Sequence, residues 1–306
     1  DRRFRMSAAH PALIQWPVVQ SDARPLALWD ARAIAKATGG KASGDFQVSG
    51  VEIDSRDVME GDLFFALKGE STDGHKYLDM AFAKGAVAAV VEHPIDRPHV
   101  LVPDTTAALE ALGAAARART DAKVVGVTGS VGKTGVKEAL FAALDRSSRG
   151  RAHRSVRSYN NHVGVPLSLS RMHARSAFGV FEMGMNHAGE IAALTAQVRP
   201  HVALVTAIAP AHIEMLGSEE AIADAKAEIF GGLQKGGTAV IPADSPHYAR
   251  LREAAIKAGA KVVGFGRSAE AEARLIDAVP AASGGSLVTA QLGDRRLCYT
   301  IAEPGE

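Results

Sequence analysis

The chain of 306 residues contains a single cysteine, Cys298, so no intrachain disulfide can form. Its setting, Arg296-Leu297-Cys298-Tyr299, reads as strand rather than as a reactive thiol, and a reducing compartment is expected. Neither sign of charge is in surplus: 35 Lys and Arg stand against 34 Asp and Glu. That balance excludes the sustained field that draws a whole protein to nucleic acid or to an acidic membrane, so any anion must be held by local groups. No apolar run reaches the roughly 18 residues a membrane-spanning helix needs, and the opening Asp1-Arg2-Arg3-Phe4-Arg5 is too polar for a signal peptide. Internal repeats and low-complexity tracts are also missing. These absences predict a soluble, cytoplasmic protein that binds no nucleic acid and inserts into no membrane; because residue 1 is Asp and Met6-Ser7 follows shortly, a natural start at Met6 is expected.

The length exceeds one typical domain, and the pattern predicts two α/β units. In the first, Asp30 caps a helix over Ala31–Ala37 that Gly39-Gly40 stops, Phe46–Ile53 and Leu63–Leu67 read as strands, and Tyr77–Lys84 reads as a helix ended by Gly85. Val87–Val91 and His99–Val102 follow as strands, and Thr105 caps an alanine-rich helix to Arg119. A boundary is expected at Thr120-Asp121-Ala122, giving units 1–120 and 121–306. In the second unit Val124–Val127, Gly179–Met183, Val202–Thr206 and Thr238–Ile241 alternate with helical segments, the pattern of a mostly parallel, helix-covered sheet. Leu275–Val279, Ser286–Leu292 and Arg295–Ile301, joined by turns at Ser283-Gly284-Gly285 and Gly293-Asp294, predict an antiparallel extension. The chain stops at Glu303-Pro304-Gly305-Glu306 without a closing element, so a further segment is expected beyond it.

Between the apolar Val124-Val125 and a helical segment at Val136–Leu144 stands Gly126-Val127-Thr128-Gly129-Ser130-Val131-Gly132-Lys133-Thr134. This reads as a phosphate-binding loop. Its glycines let backbone N–H groups turn toward phosphate oxygens, the next helix presents its positive end, Lys133 reaches terminal phosphates, and the Thr134 hydroxyl can hold Mg²⁺. Val127 stands where the strict motif wants glycine, so the strand-loop-helix context carries the reading. ATP binding by Gly129, Ser130, Val131, Gly132, Lys133 and Thr134 is expected, the alternative being an ordinary βα turn.

Ligands of an open parallel sheet sit beyond the carboxyl ends of its strands. There Glu182 ends a buried run as a candidate Mg²⁺ ligand, His212 follows the next strand, and Lys226 lies on an amphipathic helix. A structural histidine and a solvated lysine are the plainer readings of the last two. Asn160 and Asn161 offer amides suited to sugar or peptide, or to turn chemistry. In the first unit Asp54-Ser55-Arg56 and the loop Glu70-Ser71-Thr72-Asp73-Gly74-His75 could grip a ligand; a surface ion pair between Asp54 and Arg56 explains the former equally well.

Taken together, Thr128-Gly129-Ser130-Val131-Gly132-Lys133-Thr134, Asn160-Asn161-x-x-Gly164-x-Pro166, Glu182-x-Gly184-x-Asn186-x-x-Gly189-Glu190 and Ala211-His212 resemble the Mur ligases of bacterial cell-wall synthesis, over nearly the whole chain. Within that family the second and third segments look like the member that adds D-alanyl-D-alanine to UDP-N-acetylmuramoyl-tripeptide. The resemblance implies an N-terminal domain that binds the UDP substrate and a central ATP-binding domain. It makes Thr134, Glu182 and His212 ligands of Mg²⁺, Lys226 a lysine open to carbamylation, and Lys133, Lys226 and His212 catalytic. Ser55, Arg56, Ser71, Thr72, Asn160, Asn161 and Asn186 become substrate contacts, and a monomer is expected. ATP would phosphorylate the tripeptide carboxylate and the dipeptide amine would displace the phosphate. Two departures stand out: Pro242 occupies the place expected for an adenine-binding Asn, and a C-terminal domain and final motif usual in the family are missing, so that substrate binding but poor turnover is expected. The alternatives are the sibling ligase that adds the third peptide residue, a P-loop small-molecule kinase, and a non-catalytic nucleotide-binding module.

Overall fold

The computed structural model describes residues 27–69, 72–211, 213–282 and 284–301. The expected start at Met6, and Ser71, His212 and Ser283, lie outside the described residues. The first part of the chain runs β1 (Trp29–Asp30), α1 (Ala31–Thr38), β2 (Lys41–Ala42), β3 (Gln47–Val48), β4 (Gly50–Glu52), β5 (Asp62–Phe65), α2 (Leu78–Ala83), β6 (Ala88–Val91), β7 (His99–Leu101) and α3 (Thr105–Ala118). Asp30 caps α1 as expected, its Oδ1 accepting from the Ala33 N–H at 2.7 Å, and Gly39 closes it in the left-handed conformation at φ +67°. The four strands β4, β5, β6 and β7 are parallel, and β2 adds antiparallel to β7.

Two expectations change here. The predicted strand Phe46–Ile53 divides at Ser49, because β3 pairs antiparallel with β1 while β4 pairs parallel with β5, so the chain changes partner within one apolar run. Thr105 is not the cap of α3: Asp104 is, accepting from the Thr106 and Ala107 N–H groups at 2.8 and 2.9 Å. The Thr105 hydroxyl instead donates inward to the Ala66 carbonyl and to Glu92.

The remainder runs β8 (Lys123–Thr128), α4 (Lys133–Ser148), β9 (Ala152–Arg154), α5 (Gly164–Ser170), β10 (Phe178–Glu182), α6 (Glu190–Val198), β11 (Val202–Val205), α7 (Ile213–Leu216), α8 (Glu219–Ala227), β12 (Thr238–Pro242), α9 (Tyr248–Lys257), β13 (Lys261–Gly266), β14 (Ala273–Pro280), β15 (Ser286–Leu292) and β16 (Arg295–Ile301). These strands form one nine-stranded sheet in the order β16-β15-β14-β13-β12-β11-β8-β10-β9. It is parallel from β9 to β14 and antiparallel from β14 to β16, as the patterning predicts. Its central strands β8, β10 and β11 carry Val124, Val127, Val180, Phe181, Ala203 and Val205 into the core, which explains their near-continuous apolar runs. β8 lies between β10 and β11, third from the β9 edge, so the loop after β8 opens between two parallel neighbours rather than at a sheet edge. Among the described residues no helix is long and apolar enough to cross a membrane.

The two sheets are joined by α3 packed on α5, where Gly113 comes so close to Pro166 that a Cβ would meet its carbonyl oxygen at 3.0 Å. Polar ties fix the same junction. The Trp29 indole donates to the Ser170 carbonyl at 2.8 Å, and the Arg119 guanidinium lies 3.4 Å over that indole while donating to the Leu28 and Met172 carbonyls. Buried Arg117 donates to the Val198 and Arg199 carbonyls at 2.7 and 2.8 Å, satisfying acceptors at the end of α6 that have no partner in the helix. The variant Arg117→Met should therefore lower stability by about 2–3 kcal/mol, the range for lost charge-assisted hydrogen bonds that leave buried acceptors unpaired. Urea unfolding checks this, with the midpoint expected to fall at unchanged slope.

Candidate active site

β8 ends at Thr128 and the chain turns at Gly129, whose φ of +149° and surroundings admit no side chain, since a Cβ would sit 1.9 Å from Thr206 Oγ1. Gly132, left-handed at φ +81°, opens α4 with no side-chain cap, which leaves the first-turn N–H groups free to face an anion. The loop is laced to the segment after β11: the Ser130 N–H donates to the Ala207 carbonyl, the Ser130 hydroxyl to the Ala209 carbonyl, and the Thr206 hydroxyl to the Val131 carbonyl. Lys133 folds back over the loop, its Nζ donating to the Gly129 carbonyl at 2.8 Å. Burial pushes its pKa below that of an ordinary lysine, an effect opposed by the nearby Glu182 carboxylate.

Glu182 is the last residue of β10, beside the P-loop strand, and is only 1 % exposed. Its Oε2 accepts from the Thr134 hydroxyl at 2.9 Å, its Oε1 from the Asn160 amide at 2.8 Å, and its N–H donates to the Ser155 hydroxyl. A hydroxyl and a carboxylate brought together next to a phosphate loop fit Mg²⁺, which takes one or two hard oxygen ligands from protein and the rest from phosphate and water. Among the described residues there is no cluster of three or more His, Cys, Asp or Glu that could hold a metal.

Lys226, near the end of α8, is 2 % exposed and shares a cavity of about 550 Å³ with Lys133, Asn160, Asn186, Glu190 and Glu110. Desolvation by burial, with a smaller contribution from Lys133, pushes its pKa down to about 8. It is therefore not the solvated lysine of the plainer reading. Asn186 is exposed at the rim, its N–H donating to Glu190.

The paired amides divide their work. Asn160 faces Glu182, whereas Asn161 accepts from the Val163 and Gly164 N–H groups and so starts α5, which is turn chemistry. A second cavity of about 520 Å³ is lined by Ser55, Arg56, Thr72, Phe64, Met80 and, from the loop after β9, Tyr159. The Ser55 hydroxyl is buried against Met80 Sδ, and the Thr72 hydroxyl lies 3.3 Å from the Tyr77 phenol. Arg56 forms a two-pronged ion pair with Asp54, holding that carboxyl down to about 2. The ion-pair alternative thus describes its geometry.

Two residues beside Glu182 escaped the sequence reading. Ser155 looks like any strand-end serine. Lys137 could have been found: it follows Lys133 by four residues, so both lie on one face of α4.

The chain matches the Mur ligase middle domain over residues 127–306 and the Mur ligase family catalytic domain over 47–102. It is 35 % identical over 257 residues to the UDP-N-acetylmuramoyl-tripeptide–D-alanyl-D-alanine ligase of Rickettsia prowazekii, covering 81 % of this chain and 56 % of that protein. With the enzyme of the same name from Escherichia coli the identity is 43 % over 203 residues, 66 % of this chain and 44 % of the other. The chain spans about half the length of these curated relatives. In structure it is similar to MurF from Acinetobacter baumannii, with a TM-score of 0.77 at 30 % identity over 90 % of this chain and 61 % of that one. It is also similar to MurF ligase from Thermotoga maritima in complex with ADP, with a TM-score of 0.68 at 29 % identity over 83 % and 58 %. On the extent of the middle-domain match, laid over a P-loop sheet with a buried carboxylate beside it, the chain belongs to the Mur ligase family.

Proposed function

We propose that this chain carries the UDP-substrate and ATP sites of a peptidoglycan-precursor ligase that joins D-alanyl-D-alanine to UDP-N-acetylmuramoyl-tripeptide, acting as a cytoplasmic monomer. Residues 1–120 form the domain for the uridine end of the substrate and 121–306 the domain for ATP. The observation that carries the reading is Glu182, buried at the end of β10 and bonded to Thr134 and Asn160 beside Lys133. The names of the relatives supply the substrates.

In the proposed reaction the γ-phosphoryl group passes from ATP to an oxygen of the tripeptide carboxylate, giving ADP and an acyl phosphate. The dipeptide amine then attacks the carbonyl carbon, the C–N bond forms, phosphate leaves with the C–O electron pair, and the amine loses a proton. Both partners of the first step are anions, so the site must offset their repulsion. Lys133 swings from the Gly129 carbonyl to the terminal phosphates, and the free N–H groups of Gly132 and the first turn of α4 hold the phosphate oxygens. Thr134 and Glu182, with His212 as a third ligand, would hold Mg²⁺, which supplies charge neutralisation at the transferring group. Asn160 keeps the Glu182 carboxylate oriented. Ser55, Arg56 and Thr72, which line the second cavity, are assigned with Ser71 to the uridine end of the substrate, and Asn161 and Asn186 to its muramoyl-peptide.

Lys226 is proposed to carry a carbamate. With a pKa of about 8 a share of it is neutral amine at neutral pH, able to add to the carbon of CO₂ and lose a proton, which replaces a buried cation by an anion beside Lys133.

A calorimetric series tests the reading. UDP-N-acetylmuramoyl-tripeptide should bind at least tenfold more tightly than the dipeptide precursor or UDP, a difference of about 1.4 kcal/mol or more. Glu182→Gln should weaken Mg·ADP about tenfold without changing the UDP affinity. Equal binding of the three uridine ligands would contradict the assignment of substrate, and unchanged Mg·ADP binding would contradict the metal site.

The buried lysine also has a signature in pH. Its folded pKa, about 8, lies below the unfolded value near 10.5, so between those values the unfolded chain binds more protons and stability rises with pH. In CO₂-free buffer the urea midpoint of the wild type should gain on that of Lys226→Met from pH 8 to 10. Parallel pH profiles would show that Lys226 titrates normally.

A further inference from the structure

Lys137 is fully buried, at 0 % exposure, and nothing in the reaction above uses it. It projects from α4 one turn beyond Lys133 and meets three oxygens from three places in the chain. Its Nζ donates to the Arg157 carbonyl, lies 3.2 Å from Glu138 Oε1, and stands 3.9 Å from Glu182 Oε2. Glu138 in turn pairs with Arg154 of β9 at 2.8 Å, and the Arg154 guanidinium lies 4.0 Å over Phe141 of α4. Burying an ammonium costs several kcal/mol unless it is hydrogen-bonded and paired, so this arrangement depends on the Arg157 carbonyl and on the two carboxylates beside it.

The carbonyl that Lys137 grips belongs to a residue under backbone constraint. Arg157 is left-handed at φ +47°, a conformation unfavourable for a residue with a long side chain and kept only where its surroundings impose it. Its own guanidinium pairs at 3.0 Å with Asp57, in the unit that holds the uridine cavity. The loop 155–163 thus leaves β9 with Ser155 bonded to the Glu182 N–H, turns at Arg157 under Lys137, and places Tyr159 in the wall of the uridine cavity. It then delivers Asn160, whose amide reaches Glu182 and whose carbonyl accepts from the Gly184 N–H. One short loop touches both cavities, and one buried cation pins its turn to the P-loop helix.

We propose that Lys137 is a positioning residue that pins the loop 155–163 to the P-loop helix, fixing Asn160 against Glu182 in the nucleotide site and Tyr159 in the uridine site at once. The ligand part of this inference rests on the function proposed above; the structural part does not. Hydrogen exchange separates them, since it reads the loop without any ligand.

In Lys137→Met the amides of residues 156–163 should exchange at least about tenfold faster, while those of β12, β13 and α9 keep their wild-type rates. Lys137→Arg, which keeps the charge and donors, should restore slow exchange. If the methionine variant does not fold, Lys137→Gln, with one donor group, is measured in the same way. Unchanged exchange of the loop, or faster exchange spread evenly over both sheets, would overturn the proposal, the latter marking Lys137 as mere support for the fold. In titrations of the same variants with Mg·ADP and with UDP, Lys137→Met should weaken both, although Lys137 does not line the uridine cavity, and Lys137→Arg should weaken neither. Weakening of Mg·ADP alone would overturn the link between the cavities. A wild type that binds neither ligand would defeat the proposed function, while the exchange result would still decide the role of Lys137 in the loop.

Discussion

The structure turns on a carboxylate that must be buried. Glu182 stands at the end of a central strand, almost wholly out of water, where an unpaired charge would cost several kcal/mol. It is tolerated because donors converge from α4 and from the loop after β9, and the charge of Lys137 stands 3.9 Å away. That requirement fixes more than one side chain. Thr134 can reach Glu182 only if the P-loop turns at Gly129 and Gly132 as it does, and Asn160 only if the loop after β9 doubles back at Arg157. The site is thus set in shape before a ligand arrives, as differential stabilisation of a charged transition state requires.

The second constraint is the near-zero net charge. With no general field to gather anions, attraction is confined to helix N-termini and to a few cations made potent by burial. Lys133 and Lys226 share one cavity, and the proximity of Lys133 adds to the burial that lowers the pKa of Lys226. Like charges held close together without water are a store of free energy that a polyphosphate or a carbamate would release. The junction of the two sheets uses a different device, with arginines 117 and 119 bound to main-chain carbonyls rather than to carboxylates, so it too stays independent of net charge.

The mostly parallel sheet, its antiparallel extension and the P-loop could be read from the sequence because each leaves a local signature. Apolar runs alternate with helical periods, Ser286–Leu292 and Arg295–Ile301 are bounded by turn residues, and Gly132-Lys133-Thr134 follows a strand. Legibility failed where a choice depends on a distant partner. Nothing local says that Ser49 divides a strand between two partners, or that Asp104 rather than Thr105 caps α3 while Thr105 turns inward to Glu92. Asn160 and Asn161 are the same residue type side by side, and only the fold aims one at Glu182 and the other into a turn. Lys137 is a mixed case: its spacing from Lys133 puts it on the same face of α4, but its burial depends on Arg157, twenty residues away, which nothing local announces.

If the proposed function holds, the terminal phosphate of ATP and the carboxylate of a UDP-linked peptide meet in the cavity of Lys133, Asn160 and Lys226, beside Glu182. A crystal structure of the chain with Mg²⁺, a non-hydrolysable ATP analogue and UDP-N-acetylmuramoyl-tripeptide tests this most directly. The account predicts the γ-phosphate at Lys133, uracil beside Ser55 and the peptide running past Asn160 to end near that phosphate. A nucleotide bound elsewhere, as in the cleft of Arg119, Arg151 and Arg175, or a peptide directed away from the P-loop, would contradict it.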